Sequence, residues 1–242
     1  MDAPAPGFRP LYAQVKDLLV QRLVAGAWRP GEALPSEFSL AAEFKVSQGT
    51  VRKALDELAA QNVVVRQQGK GTFVATHTPQ RALFHFFHLV GDDGARAMPS
   101  HRVLSLRNAN ATKAEAERLQ IRIGAAVIRL KRLRQLGGRD AIFERITLPG
   151  ALFPGLVEKM GEGLPNEVYR YYEEVYGVTV ARAVEKLKSV AATAEEARWL
   201  GLKSGAPLLE IDRIGYGLDG KPVELRISRC DTARHHYVSE IV

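Results

Sequence analysis

The chain has 242 residues, with 34 lysines and arginines against 27 aspartates and glutamates, for a formal net charge of +7. Its 46% apolar and 25% charged residues describe packed globular domains rather than a disordered or fibrous chain, and the length suits two modest domains better than one. Apolar runs stay short of the roughly 18 residues that cross a bilayer, and the first ten residues lack the order of a signal peptide, so a cytoplasmic protein with no membrane partner is expected. Cys230 is the only cysteine, which excludes an internal disulfide and a paired-cysteine metal site.

The charge is unevenly spread. Residues 1–75 hold 9 basic and 7 acidic side chains, residues 76–140 hold 12 and 5, and residues 141–242 hold 13 and 15. Because the surplus is central, net charge argues only weakly for nucleic-acid binding, and individual residues have to carry that argument.

After Pro10, the residues Leu11, Val15, Leu18, Leu19 and Leu23 recur at helical spacing until Gly26 and Pro30-Gly31 stop the pattern. Ser36 then caps a short second helix marked by Leu40, Ala41 and Phe44. Ser47 caps a third, whose apolar positions Val51, Ala54, Leu55 and Leu58 leave Gln48, Gly49, Arg52, Lys53 and Asp56 facing outward. Two short helices joined by a tight turn predict a helix-turn-helix. The outward face suits a groove reader: Gly49 permits close backbone approach, Gln48 and Thr50 can bond phosphate or base edges, and Arg52 can fork onto guanine. Val63-Val64-Val65 and Thr72-Phe73-Val74 predict two strands around Arg66-Gln67-Gln68-Gly69-Lys70-Gly71, a basic wing with a glycine at its tip.

Pro10-Leu11-Tyr12, Leu34-Pro35-Ser36-Glu37, Val46 to Leu55 and Gly69-Lys70-Gly71-Thr72-Phe73-Val74 together resemble the winged helix-turn-helix of GntR-family bacterial transcription regulators. The resemblance assigns residues 8–75 to DNA binding, with Ser47, Gln48, Gly49, Thr50, Arg52 and Lys53 on the recognition helix and Gln68, Gly69 and Lys70 approaching the minor groove. It implies double-stranded operator DNA as the partner, and because one winged helix has a small footprint, a two-fold dimer formed through residues 80–242 is expected to read a short inverted repeat. Phe38 and Gln48 stand where many members carry arginine.

Residues 76–79 are expected to be a linker, small and polar and ending in Pro79. Beyond it the chain repeats: residues 111–133 align with 192–214, each opening on a capping box, Thr112 to Glu115 and Thr193 to Glu196, then running helix, glycine turn, strand and hairpin. Two such halves predict an α+β domain over residues 80–242, with a central antiparallel sheet about a pseudo-two-fold axis. Strand parity puts Arg132 and Arg134 on the apolar face of Ile128, Leu130 and Leu136, with Glu144 across the hairpin and Arg213 on the face of Leu209 and Ile211. Buried arginine needs a partner, and Glu144 neutralises only part of this charge, so an anionic ligand and an internal ion-pair network are both open readings. Phe84 to Leu89 predicts a strand able to close one side of a pocket, and Tyr169, Tyr171, Tyr172 and Tyr176 fall in a helix before Gly177. His235-His236 has no acidic or histidine company at metal spacing, and neither a metal nor another cofactor is expected.

The order of elements from Phe84 to Tyr237, with Arg132-Leu133-Arg134, Glu144, Val175-Tyr176-Gly177 and Lys221-Pro222-Val223-Glu224, resembles the UTRA effector-binding domain of the HutC subfamily, similar in fold to chorismate lyase. The resemblance implies ligand contacts from Phe87, His88, Arg132, Arg134, Glu144 and Glu224. Glu167 stands where members often have serine, and an acid there would repel a phosphate, which disfavours a sugar phosphate and favours a ligand with a cationic or hydroxyl end; with the arginine forks, the expected effector is a small anionic, carboxylate-bearing metabolite. The expected function is a ligand-responsive transcription regulator, a repressor, working as a homodimer. The competing class is a lyase-like enzyme fused to a DNA-binding module; no GxSxG, phosphate-cradling glycine loop or Ser-His-Asp arrangement supports it.

Overall fold

The computed structural model describes residues 9–76, 87–94, 99–159 and 164–239. The chain divides into two compact units, Met1–Thr76 and His77–Val242.

The first unit runs α1 (Leu11–Val24), α2 (Glu37–Phe44), α3 (Gln48–Ala60), β1 (Val64–Gln67) and β2 (Gly71–Val74). Serine starts α2 and α3 because its hydroxyl satisfies a backbone donor that the first helical turn leaves open. Ser36 Oγ accepts from the Ser39 N–H at 3.1 Å, and Ser47 Oγ from the Thr50 N–H at 3.2 Å. Between these helices Lys45 takes a left-handed φ of 54° and the Val46 N–H donates back to the Ala41 carbonyl at 3.0 Å, which makes the turn tight. Val15, Leu19, Leu23, Leu40, Val51, Ala54, Leu55 and Leu58 are buried. Leu11 and Leu18 follow the same spacing but are 50% and 43% exposed: the packed stripe of α1 is narrower than its apolar pattern. The hairpin gains a third partner from the chain before α2, where Leu34 N–H donates to Thr72 O and Val74 N–H to Glu32 O, both at 2.8 Å.

The second unit contains β3 (Leu89–Gly91), β4 (Ser100–Asn110), α4 (Lys113–Leu119), β5 (Ala126–Leu136), β6 (Arg139–Pro149), α5 (Leu156–Lys159), α6 (Val168–Tyr176), β7 (Arg182–Ala191), α7 (Ala194–Leu200), β8 (Pro207–Tyr216), β9 (Pro222–Cys230) and β10 (His235–Tyr237). Six strands form one antiparallel sheet in the order β4-β5-β6-β9-β8-β7, and β10 pairs with β3. The order reads as two three-stranded halves meeting at β6 and β9, and the sequence repeat accounts for it. Both helix starts form complete capping boxes, at Thr112 and Thr193. Even the glycine turns match, since Gly124 N–H donates to Ala111 O at 2.9 Å and Gly205 N–H to Ala192 O at 2.8 Å. Each capped helix crosses to the other half, α4 packing on β9 and α7 on β6.

The two faces of the sheet bury different things. Val127 packs with Ala116 and Leu119 of α4, and Leu133 and Phe143 pack with Ala197 and Leu200 of α7. On the opposite face Ile128, Leu130, Ile146 and Leu148 pack with Leu156 of α5 and Val168, Tyr169 and Tyr172 of α6. Farther along β5 that second face turns charged, and there Arg132 and Arg134 are buried. The expected strand at Phe84 to Leu89 falls on the described residues only from Phe87; Leu89 opens β3, and Phe84, His85 and Phe86 lie outside them, as do linker residues His77, Thr78 and Pro79.

Candidate functional site

Two constellations in separate units carry chemistry. In the first unit, Gln48 and Arg52 lie one helical turn apart on α3 and converge on Glu37 of α2. Glu37 Oε2 accepts from Arg52 Nε at 3.0 Å, Arg52 Nη2 at 2.9 Å and Gln48 Nε2 at 3.3 Å. Its other oxygen accepts from Arg66 Nη1 of β1 at 3.0 Å, and Arg66 also reaches the Arg52 carbonyl at 3.2 Å and Asp56 at 2.9 Å. The Arg52 hydrogen bond foremost, with Arg66 beside it, holds the Glu37 carboxyl below its ordinary range against the opposing effect of burial. One acid therefore presets a guanidinium fork and an amide on an exposed helix face.

The remaining candidates of this unit divide by position. Ser47 Oγ, spent on the cap, lies 2.9 Å from Thr50 Oγ1. At Gly49 an added Cβ would meet only Ser47 Oγ, at 3.9 Å, so the chain's own packing does not ask for glycine there; the open space suits a close external approach. Lys53 turns to α1, its ammonium 4.1 Å from the Tyr12 ring centroid. Gln68, Gly69 and Lys70 form the exposed hairpin tip, where Gly69 takes a φ of 72° and Lys70 N–H donates to Gln67 O at 3.0 Å. Glu37 and Arg66 stand in the quoted motifs, but their contacts escaped the sequence because the partners lie 10 to 29 residues away with no periodic signal.

In the second unit the buried charges form a connected set. Glu144 of β6 accepts from Arg132 Nε at 2.5 Å and Ser228 Oγ at 3.2 Å, with Arg134 Nη1 at 3.5 Å and Arg226 Nη1 at 3.9 Å. Burial would raise its pKa, but the charges of Arg132, Arg226 and Arg134 hold it well below the carboxylate range. Arg213 of β8 donates to Glu185 of β7 at 2.6 Å and to Tyr169 Oη at 3.4 Å. Arg226 donates to Glu224 at 2.8 Å, and Glu224 also accepts from the hydroxyls of Tyr169 at 2.8 Å and Tyr172 at 3.2 Å. Arg213 and Arg226 stand directly opposite across β8 and β9, a like-charge pairing that needs the acids on either side of it.

Four guanidiniums (Arg132, Arg134, Arg213, Arg226) thus meet three carboxylates (Glu144, Glu185, Glu224), a surplus of 4 − 3 = 1 positive charge in this set. Arg132 Nη1, Arg134 Nε and Arg226 Nε are buried with no hydrogen-bond partner among the described residues. Burial foremost, with Arg132, Arg226 and Arg213 adding to it against the pull of Glu144, pushes the Arg134 guanidinium down to about 9, the direction expected where cations outnumber acids.

This set opens onto a cavity lined by Phe87, His88, Leu89, Arg134, Ile142, Glu144, Ile211, Arg213, Arg226, Ser228, Cys230 and Tyr237. Arg134 stacks 4.8 Å over the Phe87 ring, and His88 lies 5.2 Å from Tyr237 between ring centroids. Of the sequence-derived candidates, Phe87, His88, Arg134 and Glu144 line the cavity. Arg132 and Glu224 are buried beside it and act through Glu144 and Arg226. Glu167 is not among the lining residues: it stands at the head of α6 with Arg170 at 3.8 Å. Arg226, Ser228 and Cys230 share the strand parity of Glu224, a signal in β9 that was there to be read. Burial pushes the Cys230 thiol up, which keeps it an inert lining group. No cluster of three or more His, Cys, Asp or Glu able to hold a metal occurs among the described residues.

Residues 11–74 match the family model described as bacterial regulatory proteins, gntR family, and residues 95–236 match the UTRA domain. The chain is 32% identical over 217 residues to the HTH-type transcriptional regulator YurK of Bacillus subtilis, covering 88% of each. It is also 32% identical over 222 residues to the mannosyl-D-glycerate transport/metabolism system repressor MngR of Escherichia coli, covering 90% of each. Among solved structures, PhnF from Mycobacterium smegmatis superposes with a TM-score of 0.56 at 25% identity, over 94% of this chain and 99% of that one.

Proposed function

This chain belongs to the GntR family of bacterial regulatory proteins and carries a UTRA domain, and on that premise we propose that it is a repressor of the HutC type whose operator affinity is set by a small carboxylate-bearing metabolite. DNA binding by the first unit is the family's function. The effector reading rests on one observation, the surplus of buried guanidiniums over carboxylates among the described residues at the cavity of the second unit, with Arg134 Nε and Arg226 Nε lacking an acceptor there. A buried arginine whose N–H has no acceptor is costly, and a ligand carboxylate satisfies both the charge and the donor. The size of the surplus favours a monoanion over a phosphate dianion, which would overshoot it. The relative MngR governs a system for mannosyl-D-glycerate, itself a monocarboxylate, in line with this balance. The reading includes a homodimer on an inverted repeat, because one winged helix has a small footprint and two-fold symmetry in the protein is matched by symmetry in the operator.

The experiment is a thermal-shift screen of the full chain against small carboxylates and their phosphate counterparts. A carboxylate at 100 times its dissociation constant should stabilise by about 2.7 kcal/mol. Arg134→Ala should abolish that shift and the ligand's effect on DNA release while leaving ligand-free DNA affinity near wild type. Stabilisation by phosphates alone, or a wild-type response in the variant, would refute the assignment, and chemical turnover of the hit would revive the lyase reading.

A further inference from the structure

Glu37 and Phe38 are neighbours at the start of α2 with opposite surroundings. The Glu37 side chain is 16% exposed, held by Gln48, Arg52 and Arg66. Phe38 is 75% exposed, more than any other large apolar side chain among the described residues. At 100° per residue, Phe38 points about 140° away around α2 from Glu43, and Glu43 is the residue that faces α1 by pairing with Arg22. Phe38 therefore turns away from α1, while its neighbour Glu37 ties the same helical turn to the outward residues of α3.

An uncovered phenyl ring does nothing for the core. Its company decides what could cover it. Gln48, Arg52 and Arg66 offer hydrogen-bond donors beside it, the two guanidiniums being balanced by Glu37 and Asp56; a wholly apolar partner would have to desolvate these groups without pairing them. Duplex DNA meets both demands, since the major groove offers phosphates and base edges to the polar groups and one apolar feature, the thymine C5-methyl, to the ring.

We propose that Phe38 is a specificity-determining residue whose ring packs on the C5-methyl of a thymine beside the bases met by Gln48 and Arg52, with Glu37 fixing the spacing between ring and fork. The inference rests on the reading that α3 enters the major groove. It assigns to this operator a thymine that an arginine at position 38 would not select.

The test uses the full chain at one fixed salt concentration. A random duplex pool is enriched on the protein, and in the enriched duplex each thymine is replaced singly by deoxyuridine, which deletes the methyl and keeps every hydrogen bond. One replacement should weaken wild-type binding about fourfold, the worth of one methyl, or about 0.8 kcal/mol. Phe38→Ala should bind the thymine duplex about as weakly and be indifferent to that replacement, while Phe38→Leu keeps part of the sensitivity. Exposure at this position leaves the fold intact, which unchanged thermal unfolding checks. If Phe38→Ala is as sensitive as wild type to every replacement, or wild type is sensitive to none, the proposal is overturned although α3 still reads DNA. If the pool yields no preferred sequence, groove reading by α3 falls and takes the proposal with it.

Discussion

Single carboxylates organise both units, and each does so by accepting more than one kind of donor. Glu115 accepts from the Thr112 N–H at 2.8 Å, closing the cap of α4, and from Arg129 Nε at 2.9 Å and Nη2 at 2.7 Å. Arg129 above all, then the Thr112 donors, lower the Glu115 carboxyl to about 2 against the opposing effect of burial. Since the unfolded value is about 4.3, the folded state binds this proton less readily, and the stability Glu115 contributes is complete above that range and lost as pH falls toward 2. Glu115→Gln, which keeps an acceptor but not the charge, should therefore flatten the decline of the urea midpoint between pH 5 and pH 3 relative to wild type. Equal slopes in the two proteins would mean that the charge on Glu115 is irrelevant to folding. Glu37 and Glu144 work by the same multiplicity, and this is why neither can be judged from one contact.

At the scale of elements, the repeat supplies its own control. α4 ends on Gln120 with φ 54°, and its counterpart α7 ends on Gly201 with φ 67°. A left-handed residue with a side chain costs roughly 1 to 2 kcal/mol that glycine avoids, and no atom lies within 4 Å of where a Cβ at Gly201 would point. Gly201→Gln should thus cost about 1 kcal/mol by conformation alone. Gln120→Gly should gain about 0.5 kcal/mol, less because glycine also loosens the unfolded chain. Opposite shifts of the urea midpoint with unchanged slope would bear this out. Capping boxes, glycine turns and the 81-residue offset made these elements legible, because each is local. The same locality explains what stayed hidden. Arg132, Arg134 and Glu144 could be grouped from parity on one hairpin, and Arg213 with Arg226 are equally local on the next, β8 and β9 being joined by a single turn; what parity cannot supply is β6 meeting β9, which brings Ser228 and Arg226 to Glu144, or α2 meeting both α3 and the wing at Glu37. Lys53 was placed outward by the helical angle, but the angle carries no information about Tyr12, whose ring attracts it across the unit.

At the scale of the whole molecule, a fold with the reader in Met1–Thr76 and the charged cavity in His77–Val242 can regulate only if ligand and DNA prefer different states of the chain. The free energy that links them is then shared, typically about 1 to 3 kcal/mol, or some 5- to 150-fold. Under the proposed function, whatever factor a carboxylate takes from operator affinity, saturating operator must take from carboxylate affinity, since both describe one thermodynamic cycle. Titration of ligand into the free protein and into the protein–operator complex measures the second factor, and operator binding with and without ligand measures the first. Arg52→Ala gives the sharper case: it should lower operator affinity roughly ten- to a hundredfold, yet leave carboxylate affinity in the absence of DNA at its wild-type value. A drop in ligand affinity for DNA-free Arg52→Ala would overturn this separation of roles, and equal ligand affinities with and without operator would mean that the cavity and the reading helix are not coupled.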